Sequence, residues 1–274
     1  MKPAAFDYVC VESVDAAVAQ YSWSGDARYL AGGQSLLAAM NFRLDTPGLL
    51  IDISRIDALR GIRLQGDAVI IGAMTCHAEV ARHPLVARHL PLLADAARHI
   101  AHPAIRNRGT IGGSLALADP ASEMPACALA LSAVLHVQGL NGTRTIAADQ
   151  FFLGMYETAL SAGEILTQVE FPCPAVPADH GFAEIARRTG DYAMTGLALV
   201  TGADPRIVGF ALSDRPVRAR AAEVALAAGA SRDAVVALAT EGIEVLGDLN
   251  ATDHMKQHYA RVLLSRLLTE RGYA

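Results

Sequence analysis

Two adjacent-glycine motifs, Ala31-Gly32-Gly33-Gln34-Ser35-Leu36 and Thr110-Ile111-Gly112-Gly113-Ser114, stand about 80 residues apart and restrict the backbone more than any other feature. With no Cβ, paired glycines let a chain turn tightly, come close to a ligand and aim successive N–H groups one way. The neighbouring Ser and Thr add hydroxyls. Such loops suit a diphosphate, and a helix starting at Ser35 adds its dipole field. Either motif taken alone also fits an ordinary tight turn. Neither carries the Lys-Ser/Thr ending of a P-loop or the G-x-G-x-x-G spacing of a Rossmann turn.

The surrounding pattern places both motifs between regular elements. Ser13 reads as an N-cap for a short helix ending near Gly25, followed by a buried strand over 28–31. After the first glycines, Leu36, Leu37, Met40 and Leu44 recur at helical spacing behind a cap at Ser35. Strands are expected over 49–53 and 68–72, and helices over 78–88 and 91–100. Asp119-Pro120 reads as an N-cap and first-turn pair opening a helix through Leu131. Strands over 134–138 and 143–146 flank the hairpin signal Asn141-Gly142. Another strand runs over 164–171, and Pro172, Pro174 and Pro177 mark a linker. Strands over 182–187, 197–200 and 207–212 follow, then three helices. The last, over 253–271, puts Met255, Tyr259, Val262 or Leu263, and Leu267 on one face. The expected division is 1–176, itself split into 1–57 and 58–176, then 177–274.

Composition narrows the function classes. Of 274 residues 52% are hydrophobic and 19% charged, with a net charge of −5, which argues against a nucleic-acid binder. The longest apolar run, over 124–137, spans 14 residues and contains Pro125, Ser132 and His136. A membrane span needs about 20 apolar residues, so none is expected. No secretory leader is evident, and the expected location is the cytoplasm. Cys10, Cys76, Cys127 and Cys173 are isolated, so this chain alone is not expected to hold a zinc ion or an iron–sulfur cluster. His254 and His258, at i, i+4, lack a third ligand and read as solvent-facing. His77, His83 and His89 share no helical face. His99 and His102 flank the approach to the second motif and read as structural. Arg187 and Arg188 read as ion-pair partners of nearby carboxylates. No constellation of catalytic side chains is present.

Several strings in order resemble one family, the FAD-binding medium subunit of the molybdenum hydroxylases, which includes carbon monoxide dehydrogenase, xanthine dehydrogenase and aldehyde oxidoreductase. They are LAGGQSLLAAMNFR over 30–43, LIDI over 50–53, IGAMT over 71–75, IRNRGTIGGSL over 105–115 with Asp119-Pro120, ARRTGDYA over 186–193, and the helix around Tyr259. The resemblance implies an α+β chain: a two-subdomain FAD-binding fold of the vanillyl-alcohol-oxidase (PCMH) type, then a C-terminal α+β subdomain with a three-stranded antiparallel sheet plus helices. It implies FAD contacts from Tyr29, Leu30, Ala31, Gly32, Gly33, Gln34, Ser35 and Leu36, with the backbone of 31–35 against the diphosphate. On the other side stand Thr110, Ile111, Gly112, Gly113 and Ser114. Glu123 is implied as a further contact, Ile100 and Leu166 as apolar contacts near the flavin, and Tyr192 as the aromatic residue beside the isoalloxazine.

One departure is visible. Related chains often carry lysine three residues before the first arginine of the RR-x-GD string, where this chain has Glu184. The resemblance further implies a large molybdopterin-binding subunit, a small subunit with [2Fe-2S] clusters, an external electron acceptor, and a dimer of heterotrimers. It also makes part of the apolar fraction surface covered by partner chains. Two other readings use the same scaffold. A stand-alone FAD-dependent oxidoreductase needs acid and base residues over the flavin, and a non-catalytic assembly protein would tolerate loss of the glycines, all of which are present.

Overall fold

The computed structural model describes residues 2–173 and 179–274; the expected cut at 176/177 lies outside them. The cut expected at 57/58 falls in a 3-10 turn, Asp57–Leu59.

A parallel sheet comes first. It is built from β1 (Asp7–Cys10), α1 (Val14–Ser24), β2 (Ala27–Leu30), α2 (Leu36–Asn41) and β3 (Leu49–Asp52), with strand order β1-β3-β2. Ser13 Oγ accepts the Ala16 N–H at 3.2 Å to start α1, and Gly25, with φ +68°, ends it. Parallel strands bring their C-terminal ends to one edge, the edge at which such sheets bind ligands. The first glycine motif leaves β2 there.

The second sheet is antiparallel. β4 (Ile62–Gln65) and β5 (Ala68–Gly72) lead into six short helices: α3 (His77–Val80), α4 (Pro84–His89), α5 (Pro91–His99), α6 (Pro103–Arg106), α7 (Ile111–Leu117) and α8 (Glu123–Ala130). The hairpin β6 (Val134–Gly139) and β7 (Gly142–Ala147) follows, then a small pair, β8 (Phe152–Gly154) and β9 (Glu157–Thr158), and then β10 (Ile165–Pro172). Strand order is β4-β5-β10-β6-β7. The hairpin pairs Gly139 with Gly142, so its two turn residues are Leu140 and Asn141. The single helix expected over 78–88 is broken instead. Pro84 has no N–H and disfavours helical geometry at His83, whose Nδ1 accepts the Leu85 N–H at 3.3 Å to restart the chain as α4.

After the second sheet come β11 (His180–Ala186), β12 (Ala193–Val200), β13 (Arg206–Phe210) and β14 (Val217–Arg218), then α9 (Arg220–Ala227), α10 (Arg232–Ala237) and α11 (Asp253–Thr269). The sheet β11-β12-β13-β14 thus has four strands rather than the expected three. β14 has only two residues, too few to show a period. α5 and α8 pack on one face of this sheet and α9 and α11 on the other. The face of α11 differs from expectation. Lys256, Ala260, Leu263, Leu264, Leu267 and Leu268 are buried, while Met255 and Val262 are exposed. Lys256 reaches that position because Nζ donates to Ala211 O at 2.7 Å and pairs with Asp248 at 2.8 Å. Among the described residues no helix is long and apolar enough to cross a membrane.

Candidate functional site

The first glycine motif occupies the turn between β2 and α2. Gly33 has φ +71°, and a Cβ there would stand 2.9 Å from Leu37 Cδ1. Glycine is required at Gly32 by a long-range contact: its Cβ would collide with the carbonyl oxygen of Arg108, just before the second motif. A Cβ on Gly113 would lie 3.6 Å from that of Ala31. The two motifs therefore touch, though far apart in sequence.

Their chemistry differs. The N–H groups of Gly32, Gly33, Gln34 and Ser35 find no acceptor among the described residues, and Gln34 Nε2 donates to Gly32 O at 2.9 Å. The cap expected from Ser35 is not formed, and its exposed hydroxyl has no partner among the described residues. Free N–H groups on a glycine turn at the edge of a parallel sheet make an anion cradle. The second motif is not a turn but the start of α7. Thr110 Oγ1 accepts the Gly113 N–H at 3.1 Å, and Ile111, Gly112 and Ser114 donate to Thr75, Ala73 and Thr110 carbonyls. Its backbone donors are used inside the protein. Gly112 is there for packing, since a Cβ would stand 2.7 Å from Ala73 O.

From the second motif the site continues into α8. Ser114 Oγ meets Ser122 Oγ at 2.9 Å, directly before Glu123. The helix expected to open at Asp119-Pro120 opens at Glu123 instead. Asp119 Oδ1 accepts the Ala121 N–H at 2.9 Å in a turn, and its Oδ2 accepts the Tyr156 hydroxyl at 3.3 Å. Glu123 is 8% exposed. Burial, reinforced by the charges of Glu184 and Asp119, pushes its carboxyl up to about 8.

The remaining predicted residues are distributed unevenly. Tyr29 is half-buried with its hydroxyl given to Gly163 O at 2.9 Å, so it braces β2 against the turn before β10. Leu30 packs under Gly33. Ile100 is half-buried after α5, its carbonyl held by Arg106 Nη1 at 2.7 Å. Leu166 lies in the central core. Tyr192 is 71% exposed; partial desolvation of its hydroxyl end, then the charges of nearby Asp119 and Glu123, raise its phenol. Its loop touches the turn after α5, because a Cβ on Gly190 would stand 2.9 Å from Ala101 O.

Sequence reasoning missed several participants. Arg106 holds the carbonyls of Ile100 and Ala101, six and five residues away, the Arg108 carbonyl meets Gly32, and Tyr156 reaches Asp119, although both arginines lie within the IRNRGTIGG string. His77, set aside for sharing no helical face, is buried beneath Gly109. Arg187 donates to Asn250 Oδ1 at 3.3 Å rather than to a carboxylate, contrary to the ion-pair expectation. Among the described residues no cluster of His, Cys, Asp or Glu is arranged to hold a metal ion. The free N–H cradle opposite a tightly packed second motif fits the diphosphate of a dinucleotide.

Residues 4–174 match the family described as the FAD binding domain in molybdopterin dehydrogenase. The chain is 46% identical over 208 residues to the nicotine 6-hydroxylase medium subunit of Paenarthrobacter nicotinovorans, covering 76% of this chain and 73% of that one. It is 45% identical over 201 residues to the carbon monoxide dehydrogenase medium chain of Hydrogenophaga pseudoflava, covering 73% and 70%. A solved structure of carbon monoxide dehydrogenase from Hydrogenophaga pseudoflava superposes with a TM-score of 0.94 at 40% identity over 98% of both chains. Quinoline 2-oxidoreductase from Pseudomonas putida 86 superposes at 0.92 with 35% identity, again over 98% of both.

Proposed function

The chain belongs to the family of FAD-binding domains of molybdopterin dehydrogenases, and from that premise we propose that it is the electron-transfer subunit of a molybdenum hydroxylase. It holds FAD and passes electrons from [2Fe-2S] clusters of a small partner to an external acceptor. A large partner binds molybdopterin and the organic substrate. The complex is a cytoplasmic dimer of heterotrimers.

One observation carries this reading: the free N–H groups of Gly32 to Ser35 lie against the segment that opens the second motif. Bound there, the flavin supplies the redox chemistry and the protein supplies position and electrostatics. The N–H groups and the Ser35 hydroxyl bind the diphosphate. Ile100 and Tyr192 wall the flavin end, and Glu123 lies behind that wall. Exposed Trp23, Phe42 and Leu44 leave apolar surface for partner chains to cover.

The test is the cofactor content of the purified chain and of the complex isolated with its native partners. Yellow protein that releases FAD, joined to an iron–sulfur chain and a molybdenum chain, is expected; colourless protein that takes up no added FAD refutes the reading. Gly33→Val places a branched side chain at a positive φ against Leu37, and bound FAD should be lost. Ser35→Ala removes a hydroxyl with no partner among the described residues, so thermal stability should hold while FAD binds about 3- to 10-fold more weakly, roughly 0.7–1.4 kcal/mol.

A further inference from the structure

The turn between α7 and α8, residues 118–122, joins Ser114 to Glu123, both read above as residues of the flavin site. Ser122 Oγ meets Ser114 Oγ at 2.9 Å, and Glu123 follows as the first residue of α8. Inside the turn the Asp119 carbonyl accepts the Ser122 N–H at 3.0 Å, and the Asp119 carboxylate accepts Ala121 N–H and the Tyr156 hydroxyl. The C-terminal sheet enters through Ala211, just after β13, whose N–H donates to Pro120 O at 2.7 Å. Three residues bordering this turn have left-handed backbones without being glycine: Ala118 at φ +53°, Tyr156 at +56° and Ala211 at +55°. Such conformations persist only where the surroundings impose them, so the turn is held from outside.

Ala211 is held on both sides of its Cα. Its N–H is engaged by Pro120, and its carbonyl accepts Lys256 Nζ at 2.7 Å. Lys256 comes from the first turn of α11 with its side chain 6% exposed, and its ammonium pairs with Asp248 at 2.8 Å, as burial of a charge requires. The pair reaches further. Asp248 accepts the Asn250 N–H at 2.7 Å and the Ala251 N–H at 3.0 Å, and Asn250 Oδ1 accepts Arg187 Nη1 at 3.3 Å. Arg187 begins the segment 187–192, which ends at Tyr192. One ammonium–carboxylate pair therefore ties the Asp119 turn and the Tyr192 segment to the same helix.

We propose that Lys256 is a positioning residue of the flavin site. Held by Asp248, its ammonium fixes Ala211 O, which aims the Ala211 N–H at Pro120 O and sets the turn that places Ser122 against Ser114 and Glu123 at the head of α8. This rests on the FAD reading above. Lys256 acts through the Ala211 backbone. A hydrocarbon of the same length would fill the space yet leave Ala211 O and Asp248 without their donor. The left-handed Ala211 would then relax, and the turn would carry Ser114 and Glu123 away from the places they hold.

The experiment titrates FAD calorimetrically into the flavin-free full chain and records the visible circular dichroism at saturation, which reports how the flavin is seated. Lys256→Met keeps an apolar stem and removes the donor, so FAD should bind about tenfold more weakly, with altered dichroism even when saturated. Lys256→Arg keeps a cationic donor for Ala211 O and Asp248, and both readouts should stay close to the wild type's. Leu226→Ala, in the cluster on the far face of the C-terminal sheet, controls for stability alone: Tm should fall while both flavin readouts hold. Wild-type affinity and dichroism in Lys256→Met overturn the proposal and leave FAD binding standing. Equal weakening in Lys256→Arg, or in Leu226→Ala at a matched loss of Tm, overturns it as well. If Lys256→Met does not fold, Asp248→Asn at the more exposed end of the pair carries the same expectation, and wild-type values there overturn the proposal. A wild-type chain that binds no FAD overturns both readings.

Discussion

His77 is 4% exposed beneath the second glycine motif; its backbone N–H goes to Gly109 O at 3.0 Å, and its Nδ1 is sealed without a partner among the described residues. Burial first, and then the charge of Arg106, lower its imidazole to about 4. The folded chain keeps His77 neutral where an unfolded chain would take a proton below about 6.5. Between these values the unfolded state binds more protons, so stability falls as pH drops from 6.5 through 4. At about 1.36 kcal/mol per unit, that loss is on the order of 3 kcal/mol by pH 4. His77→Gln removes the titration. Its urea-unfolding free energy should lose on the order of 3 kcal/mol less than the wild type's between pH 7.5 and pH 4; identical losses would falsify the assignment. This role was hidden in the sequence because it depends on Gly109 arriving from another element, and no local period reports that. The glycines were legible for the opposite reason, since Gly33 at its positive φ and Gly32 against Arg108 admit no other residue comfortably.

At the scale of elements, the turn after α5 carries Ile100, the residue proposed above to line the flavin, and one arginine holds that turn. Arg106 Nη1 donates to Ile100 O at 2.7 Å and to Ala101 O at 2.8 Å, with Arg98 O at 3.3 Å. Ala101 sits at φ +37°, a left-handed conformation that a non-glycine residue keeps only when its surroundings impose it. Lysine offers a mobile ammonium in place of a rigid planar fork. Arg106→Lys should therefore cost about 1–3 kcal/mol of stability and weaken FAD binding about tenfold, near 1.4 kcal/mol. Calorimetric titration of FAD into the flavin-free variant measures this, and an unchanged Kd means that the turn does not position the flavin. Elements with strong local signals, such as α1 with its Ser13 cap and Gly25 stop, could be read from sequence. The buried face of α11 could not, because Lys256 enters the interior only by meeting Asp248 and the Ala211 carbonyl. The second motif was read as a turn because Gly-Gly argues against helix, yet packing against Ala73 requires glycine in the first turn of α7. Within the site, the first glycine motif was legible as chemistry and Glu123 entered only through the family resemblance, whereas Tyr156 and His77 depend on tertiary neighbours.

Across the whole molecule, the C-terminal sheet is bound into the FAD-binding part through a shared interior. Ala198, Val208 and Phe210 belong to the same buried cluster as Leu92, Met124 and Cys127 of α5 and α8. The opposite face of that sheet packs on α9 and α11 in a second cluster with Leu199, Leu226 and Leu263. Polar ties reinforce the first interface. Arg206 reaches Leu129 O at 3.1 Å and Asp149 at 2.9 Å, and Arg218 and Arg220 also approach Asp149 at 3.4 and 3.2 Å. The Ala211 N–H donates to Pro120 O at 2.7 Å, in the turn next to Asp119. Chain order suggests separable domains, but an interior of this kind couples their unfolding. Phe210 tests the coupling because it is fully buried, stacks 5.6 Å from Phe182 and lies where a Cβ on Gly196 would collide with its ring. Phe210→Ala leaves a cavity worth about 3–5 kcal/mol, which in a chain of this size lowers Tm by roughly 6–15 °C. If the interior is shared, calorimetry will show one transition shifted as a whole, and the flavin will be released with it. Two transitions, with the later one at the wild-type Tm and still carrying the flavin, would mean that the C-terminal sheet unfolds alone and that the FAD-binding part does not depend on it.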